Sequence, residues 1–403
     1  MKLLLLCTYP YVEGRHGGQI RVASLVEYYR RAGFDLSVAG VLGSASYPKT
    51  KGFIPYPGLQ ALSRVIQNPF LMEDVALAEL FHTDDDCYQQ LAEKIQVEPD
   101  VIHVEQPWLM AFAGRLITER NWQQTRILYG SQNIEYRLKA KILAVHLLPA
   151  QAEQYADKVK AMELNAIAQA DGVICVSEHD LQWTRKKTNV KSILVANGVK
   201  PWRATEQGID AANHISGCRK FALLCASAHP PNMEGFFDLF GDGFGCLSAD
   251  QRLVIAGGAG SAIADDARLN TSARLAESIV VSGVIDDHCL SGLLDTAHCI
   301  VLPITQGGGT NLKTAEALWA GRYIVATTTA MRGFEQFIGS PGVLVSDQRA
   351  EFKQNLRFAM QAPPLQLSHA EREKRTVVLW SQTLKPLSPF ITNALLTNGL
   401  RAQ

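Results

Sequence analysis

The stretch 303–321, PITQGGGTNLKTAEALWAG, decides how this chain is read. An apolar run, Cys299-Ile300-Val301-Leu302, precedes it and reads as a strand. Gly307, Gly308 and Gly309 let a ligand approach the backbone and make positive φ available. Thr310 and Asn311 suit a helix N-terminus, and Leu312, Ala315, Leu318 and Trp319 form an apolar helical face. A strand, a glycine turn and a helix start make an anion site, because unpaired N–H groups and the positive dipole end point outward. Lys313 can neutralise a phosphate there, and Glu316 follows one turn later. The alternative is an ordinary strand–helix connection with a flexible tip.

The same alternation runs through the whole chain. Leu3 to Cys7 reads as a strand buried on both faces. A polar loop follows with Gly14, Gly17 and Gly18, then a helix from about Ile20 to Arg31 and a strand from Leu36 to Val41. Arg21 faces a ligand from the first turn or lies on a solvated face. The stretch from Ser44 to Pro69 reads as an irregular insertion. Val101–Val104 is a strand with Glu105-Gln106-Pro107-Trp108 at its carboxyl end, and His103 within it reads as packed or hydrogen-bonded. Arg126–Tyr129 is a strand ended by Gly130-Ser131-Gln132-Asn133. The helix beyond carries Glu135, Arg137, Lys139 and Lys141, most simply a solvated face. Contact with an acceptor phosphate or an anionic membrane surface is the sharper alternative. Glu153 to Ala170 is a long amphipathic pattern, and Gly172–Val176 is a strand.

After Ala196-Asn197-Gly198-Val199, strand and helix patterns restart at Phe221, so two units of similar size are expected. The expected division is 1–198, a connection over 199–217, 218–375, and a helical return to the first domain over 376–403. Length agrees, since single cores seldom exceed ~250–300 residues. Two doubly wound parallel-sheet domains facing one cleft would bring both sets of strand carboxyl ends together. The 39 basic and 39 acidic residues cancel, so no global field argues for nucleic acid. Eight cysteines without a C-x-x-C pair point to a reducing, cytoplasmic compartment and no structural metal site. The Leu3–Cys7 run is too short for a secretory segment, and no apolar stretch reaches the ~18 residues of a membrane span.

The residues carry a resemblance in family order: Gly17-Gly18-x-x-Arg21, Val173–Asp180, Ala196–Val199, Gly283–Asp287, and GGTNLKTAEA from Gly308 to Ala317. The chain resembles retaining glycosyltransferases of the GT-B fold, in the nucleotide-sugar-dependent family that includes sucrose synthase and the phosphatidylinositol mannosyltransferases. It is similar to the branch with a GGT-x-x-K-x-x-E form. The resemblance implies an enzyme that moves a sugar from a nucleotide-diphosphate sugar to a saccharide, lipid-linked or small-molecule hydroxyl, without metal or cofactor. Backbone N–H groups around Gly309, Thr310, Asn311 and Leu312 would bind the diphosphate with Lys313, and Glu316 would take the ribose hydroxyls. Gly283 to Asp286, Ile285 included, would flank the base, and Gly17 and Gly18 would approach the phosphates. Asn133 and Lys313 take the catalytic places; Arg21, Gln132 and Asn133 are the acceptor or sugar contacts.

Three departures stand out. Gly308 occupies the place of a glutamate common in the family. The loop Ser227–Asn232 lacks the usual Arg and Lys, leaving His229 and Asn232 as its polar candidates. Gln132 stands where a His is common and cannot do acid–base work. A catalytically silent GT-B module that binds a nucleotide-sugar or a partner enzyme is the alternative function. Localisation is expected to be cytoplasmic, with weak peripheral attachment to the inner membrane face as the further option.

Overall fold

The computed structural model describes residues 1–12, 14, 17–67, 69–241, 243–269, 278–307 and 309–396. The chain divides into two compact units, Met1–Ala196 with Leu384–Gln403, and Asn197–Thr383.

The first unit is built on a seven-stranded parallel sheet. Its strands are β1 (Lys2–Cys7), β2 (Asp35–Val41), β3 (Phe53–Ile54), β4 (Val101–Glu105), β5 (Arg126–Ser131), β6 (Gly172–Cys175) and β7 (Lys191–Leu194). They lie in the order β3-β2-β1-β4-β5-β6-β7. Leu3, Leu4, Leu5 and Leu6 are all buried, as a central strand covered on both faces requires. Strand order reverses between β1 and β4, and in open α/β sheets that switch point opens a crevice at the strand carboxyl ends. Tyr9 and Glu105 therefore stand at the place where a ligand is expected. The helix after β1 spans Gly17–Arg31, so Gly17 and Gly18 are its first turn rather than part of the loop. Gly18 is required there: a Cβ would fall 2.5 Å from Cε2 of the Tyr9 ring.

The second unit carries β8 (Phe221–Cys225), β9 (Arg252–Ala256), β10 (Ile279–Gly283), β11 (Cys299–Leu302), β12 (Tyr323–Ala326) and β13 (Val343–Val345). They form a six-stranded sheet in the order β10-β9-β8-β11-β12-β13, also parallel. Phe221 and Leu223 of β8 enter one buried cluster, and Ala222 and Leu224 enter another. Alternate side chains thus cover both faces of the sheet. Its switch point lies between β8 and β11, which places the Ser227–Asn232 and 303–311 loops side by side.

Two boundaries differ from expectation. The connection 199–217 holds a helix, Glu206–Ser216, capped by Thr205 at its start and by Gly217 in the left-handed region at its end. It packs on the Asp287–Thr296 helix so tightly that a Cβ on Gly292 would meet the Gly208 carbonyl. Its buried positions are Gly208, Ala212 and Ser216. Small residues give close backbone packing but little apolar signal in a sequence. The C-terminal return begins at Leu384, not 376; Leu379 still pairs with Val199 in the second unit. In the first unit, the Ser388 N–H donates to the Tyr28 hydroxyl at 3.1 Å. Among the described residues, no helix is long and apolar enough to cross a membrane.

Candidate active site

In the second unit, the Leu312–Ala320 helix begins one loop after β11. Asn311 is its cap, accepting the Lys313 N–H at 3.0 Å, and N–H groups ahead of Lys313 precede the i→i−4 ladder. Gly309 takes φ +59°, while Gly308 lies outside the described residues. Thr310 buries its hydroxyl without a hydrogen-bond partner among the described residues. Its methyl fits where Gly333, at φ +83°, has no side chain.

Lys313 Nζ donates to Asn232 Oδ1 at 3.1 Å, and Asn232 in turn donates to the Ser227 carbonyl at 2.9 Å. Burial pushes the Lys313 ammonium below its ordinary pKa, with Cys225 and Glu316 opposing. Burial pushes Glu316 up to about 7; Lys313 opposes and Asp287 adds to the rise. Lys313 and Glu316 are three apart on one helix, hence neighbours on one face. Cys225, at the end of β8, senses both and is itself pushed up to about 12, chiefly by burial. Partial desolvation and the Lys313 charge push the exposed His229 below its usual value, so it is a poor permanent cation for a phosphate. Gly283 ends β10 at φ +69°, and half-buried Ile285 packs against the core. The structure thus gathers Asn232, Lys313, Glu316 and the start of the Asp287 helix at the strand carboxyl ends. Among the described residues, no group of three or more His, Cys, Asp and Glu could hold a metal ion.

The first unit is different. Arg21, expected on a ligand or in solvent, is only 1% exposed. Its Nε lies 3.1 Å from Glu105 Oε2, and its Nη1 donates to the Val195 carbonyl at 3.1 Å. Half-buried Gln132 donates from Nε2 to the same Glu105 oxygen at 2.6 Å, so its amide nitrogen is engaged within the protein. His103 Nε2 stands 3.0 Å from Glu105 Oε1 without hydrogen-bond alignment, and its Nδ1 meets the Tyr29 hydroxyl at 2.8 Å. Burial alone would raise Glu105; Arg21, His103 and Gln132 overcome it and bring the carboxyl to about 2. Gly130, opposite Glu105 in β5, leaves the room: a Cβ there would strike Glu105 Oε1.

A pair of carboxylates lies next to Asn133. Glu163, from the Pro149–Gln169 helix, accepts the N–H groups of Glu135 at 2.9 Å and Tyr136 at 3.2 Å, capping the Glu135–His146 helix. Glu135 receives Gln106 at 3.3 Å and Asn133 at 3.4 Å. Burial pushes Glu163 up to about 8, the two N–H groups opposing, and burial with Asp74 pushes Glu135 up to about 7. Lys139, read from sequence as solvated, is 2.9 Å from Asp74. Tyr9, Tyr47, Trp108, Asp74 and Lys139 line a cavity of about 190 Å³. Sequence reasoning missed Glu105, Glu135 and Glu163 as a set. The one local signal was Glu105 at a strand's carboxyl end.

The comparisons agree with this architecture. Residues 15–203 match the family model "Glycosyltransferase Family 4", and residues 220–361 match "Glycosyl transferases group 1". Sucrose-phosphate synthase from Thermosynechococcus elongatus aligns at TM-score 0.68 and 15% identity, over 96% of this chain and 98% of that one. Trehalose-6-phosphate synthase from Burkholderia multivorans aligns at TM-score 0.64 and 13% identity, over 100% and 99%. Anabaena HepE, in complex with UDP, aligns at TM-score 0.60 and 11% identity, over 99% and 98%. At these identities the likeness is one of fold. No curated protein matches the chain in sequence. With a glycosyltransferase model on each half and the GT-B fold beneath both, the chain is a GT-B glycosyltransferase.

Proposed function

We propose that the protein is a retaining glycosyltransferase of the GGT-x-x-K-x-x-E branch, using a nucleoside-diphosphate sugar as donor and a saccharide, lipid-linked or small-molecule hydroxyl as acceptor. The observation that carries this reading is the pairing of Lys313 and Glu316 on one helical face, just behind an open helix start at the carboxyl end of β11. A diphosphate there would meet the N–H groups of Gly309 to Leu312 and favour the charged form of Lys313. It would also offer the Thr310 hydroxyl an acceptor. The ribose diol would donate to Glu316, an acceptor-only group when ionised. The stretch Gly283–Ile285 would lie along the base, and Asn232 would hold Lys313 in place. HepE, a structural neighbour, is in complex with UDP, which favours a nucleoside diphosphate as the leaving group.

In the transfer step, the acceptor oxygen bonds to the anomeric carbon as the carbon–phosphate oxygen bond breaks on the same face. The departing phosphate oxygen takes the acceptor proton, so no protein nucleophile is needed. The chain's own part is to stabilise charge growing on the diphosphate and to position the acceptor. No metal and no cofactor are called for, because N–H groups and Lys313 supply the positive charge. In the first unit, Asn133 is our remaining sugar contact, and the Tyr9–Tyr47–Trp108 cavity replaces Arg21 and Gln132 as the acceptor side.

The test is calorimetric titration with UDP, GDP and ADP and their glucose conjugates, followed by product analysis. One nucleotide should bind, its sugar should be transferred, and the new linkage should keep the donor's anomeric configuration. Inverted product, or no binding by any of the three, overturns the reading.

A further inference from the structure

The second unit holds a larger cavity, about 680 Å³, that no step of sugar transfer uses. Trp319, Ala320 and Gly321 line it, at the far end of the helix that starts at the phosphate loop. At 1.5 Å rise per residue, that helix separates the two sites by ~13 Å. The cavity is therefore distinct from the donor site.

Its floor is aromatic. Trp202 and Trp319 meet edge to face, ring centroids 6.3 Å apart at 73°, and each is only partly buried against the core. Arg375 closes the bottom, 2% exposed, with its guanidinium on the carbonyls of Leu318 and Pro341 at 3.2 and 2.8 Å. The rim is charged and mixed. Arg203 and Arg372 are exposed and make no side-chain hydrogen bond or ion pair among the described residues. Asp295, its side chain 48% exposed, is steadied by Arg322 at 3.0 Å, and Glu373, 75% exposed, lies 3.9 Å from His369.

We propose that this cavity is a second saccharide site, one that takes a neutral oligosaccharide. Its volume falls in the ~300–1,000 Å³ range of small-molecule pockets. Partly exposed indoles suit the apolar C–H faces of a pyranose, while a polyol needs both donors and acceptors around it. Arg203 and Arg372 donate; Asp295 and Glu373 accept. An inorganic anion would use only the first pair and be repelled by the second, and a purely apolar ligand would leave four charged groups poorly solvated. The site binds a sugar chain away from the reacting end, so it serves to retain a saccharide rather than to react with it.

The test uses the full chain without nucleotide, titrated calorimetrically with maltotetraose, cellotetraose and mannotetraose. At least one should bind at millimolar or lower concentration. Trp202→Ala should weaken it ~3- to 10-fold, the scale of an aromatic contact. Arg203→Ala and Asp295→Asn, both at the exposed rim, should also weaken it and should melt like the parent, so the test survives a Trp202 variant that fails to fold. Nucleotide binding should be unchanged in these variants. The proposal is overturned if none of the three tetrasaccharides binds, if binding is indifferent to all the substitutions, or if inorganic phosphate binds where they do not. Because no donor or turnover is involved, its failure is separate from failure of the donor-site reading.

Discussion

The switch points of the two sheets carry comparable charge, and the two units use it in opposite ways. In the first unit, Arg21, Gln132 and His103 converge on Glu105, which is held ionised down to about 2. In the second, Lys313 has Asn232 as its hydrogen-bond partner, its pKa is pushed down, and Glu316 is pushed up to about 7. A charge already compensated by protein gains little from a ligand. A charge strained by burial gains much, because the ligand supplies the counter-charge that solvent no longer does. The first arrangement is internally compensated, and the second is the one we propose to bind the donor.

That contrast can be broken experimentally. The largest effect is expected for Glu105→Ala, which removes the buried carboxylate facing the Arg21 guanidinium and should cost about 3–5 kcal/mol in urea unfolding. A variant as stable as the parent would show the pair to be dispensable, and the distinction between the units would fail. Next is Glu316→Ala, which should leave unfolding nearly unchanged yet weaken nucleotide-sugar binding by about 1.5–3 kcal/mol, the scale of hydrogen bonds to a charged group. Unchanged affinity in a folded variant would remove Glu316 from the ribose.

Titration sharpens the comparison further. Glu135 and Glu163 have folded pKa values raised to about 7 and 8, so their contribution is fully present below the ordinary carboxylate range and lost as pH rises through 7 to 8. Melting temperature should fall over that interval, and Glu163→Gln, which can still accept the helix N–H groups, should flatten the fall. On the proposed reading Glu316 acts in the other sense on binding: its ionised form would accept the ribose hydroxyls, so donor affinity should climb as pH rises through about 7. Glu316→Gln should abolish the climb. Opposite slopes from one protein, seen by melting and by titration, would separate the scaffold carboxylates from the ligand carboxylate. The smallest expected effect is none at all: excess EDTA should leave turnover unchanged. Complete loss restored by Mg²⁺ would show that N–H groups and Lys313 are insufficient.

Much of this was legible locally. Leu3–Cys7, Val101–Val104 and Cys299–Leu302 read as strands because an uninterrupted apolar run of that length suits a parallel sheet covered on both sides. The 303–321 stretch read as loop and helix because glycines, a cap and a 3.6-residue pattern lie within one short window. The Glu206–Ser216 helix escaped because its contact face is made of small residues. What tertiary structure alone decided is which charges are occupied. Arg21 meets Glu105 across 84 residues of chain, and Lys313 meets Asn232 across 81. Partners so far apart are set by strand order and register, which local periodicity does not encode. A sequence shows that an arginine stands in a helix's first turns, but whether it faces a phosphate or a buried carboxylate depends on which strand lies beside it.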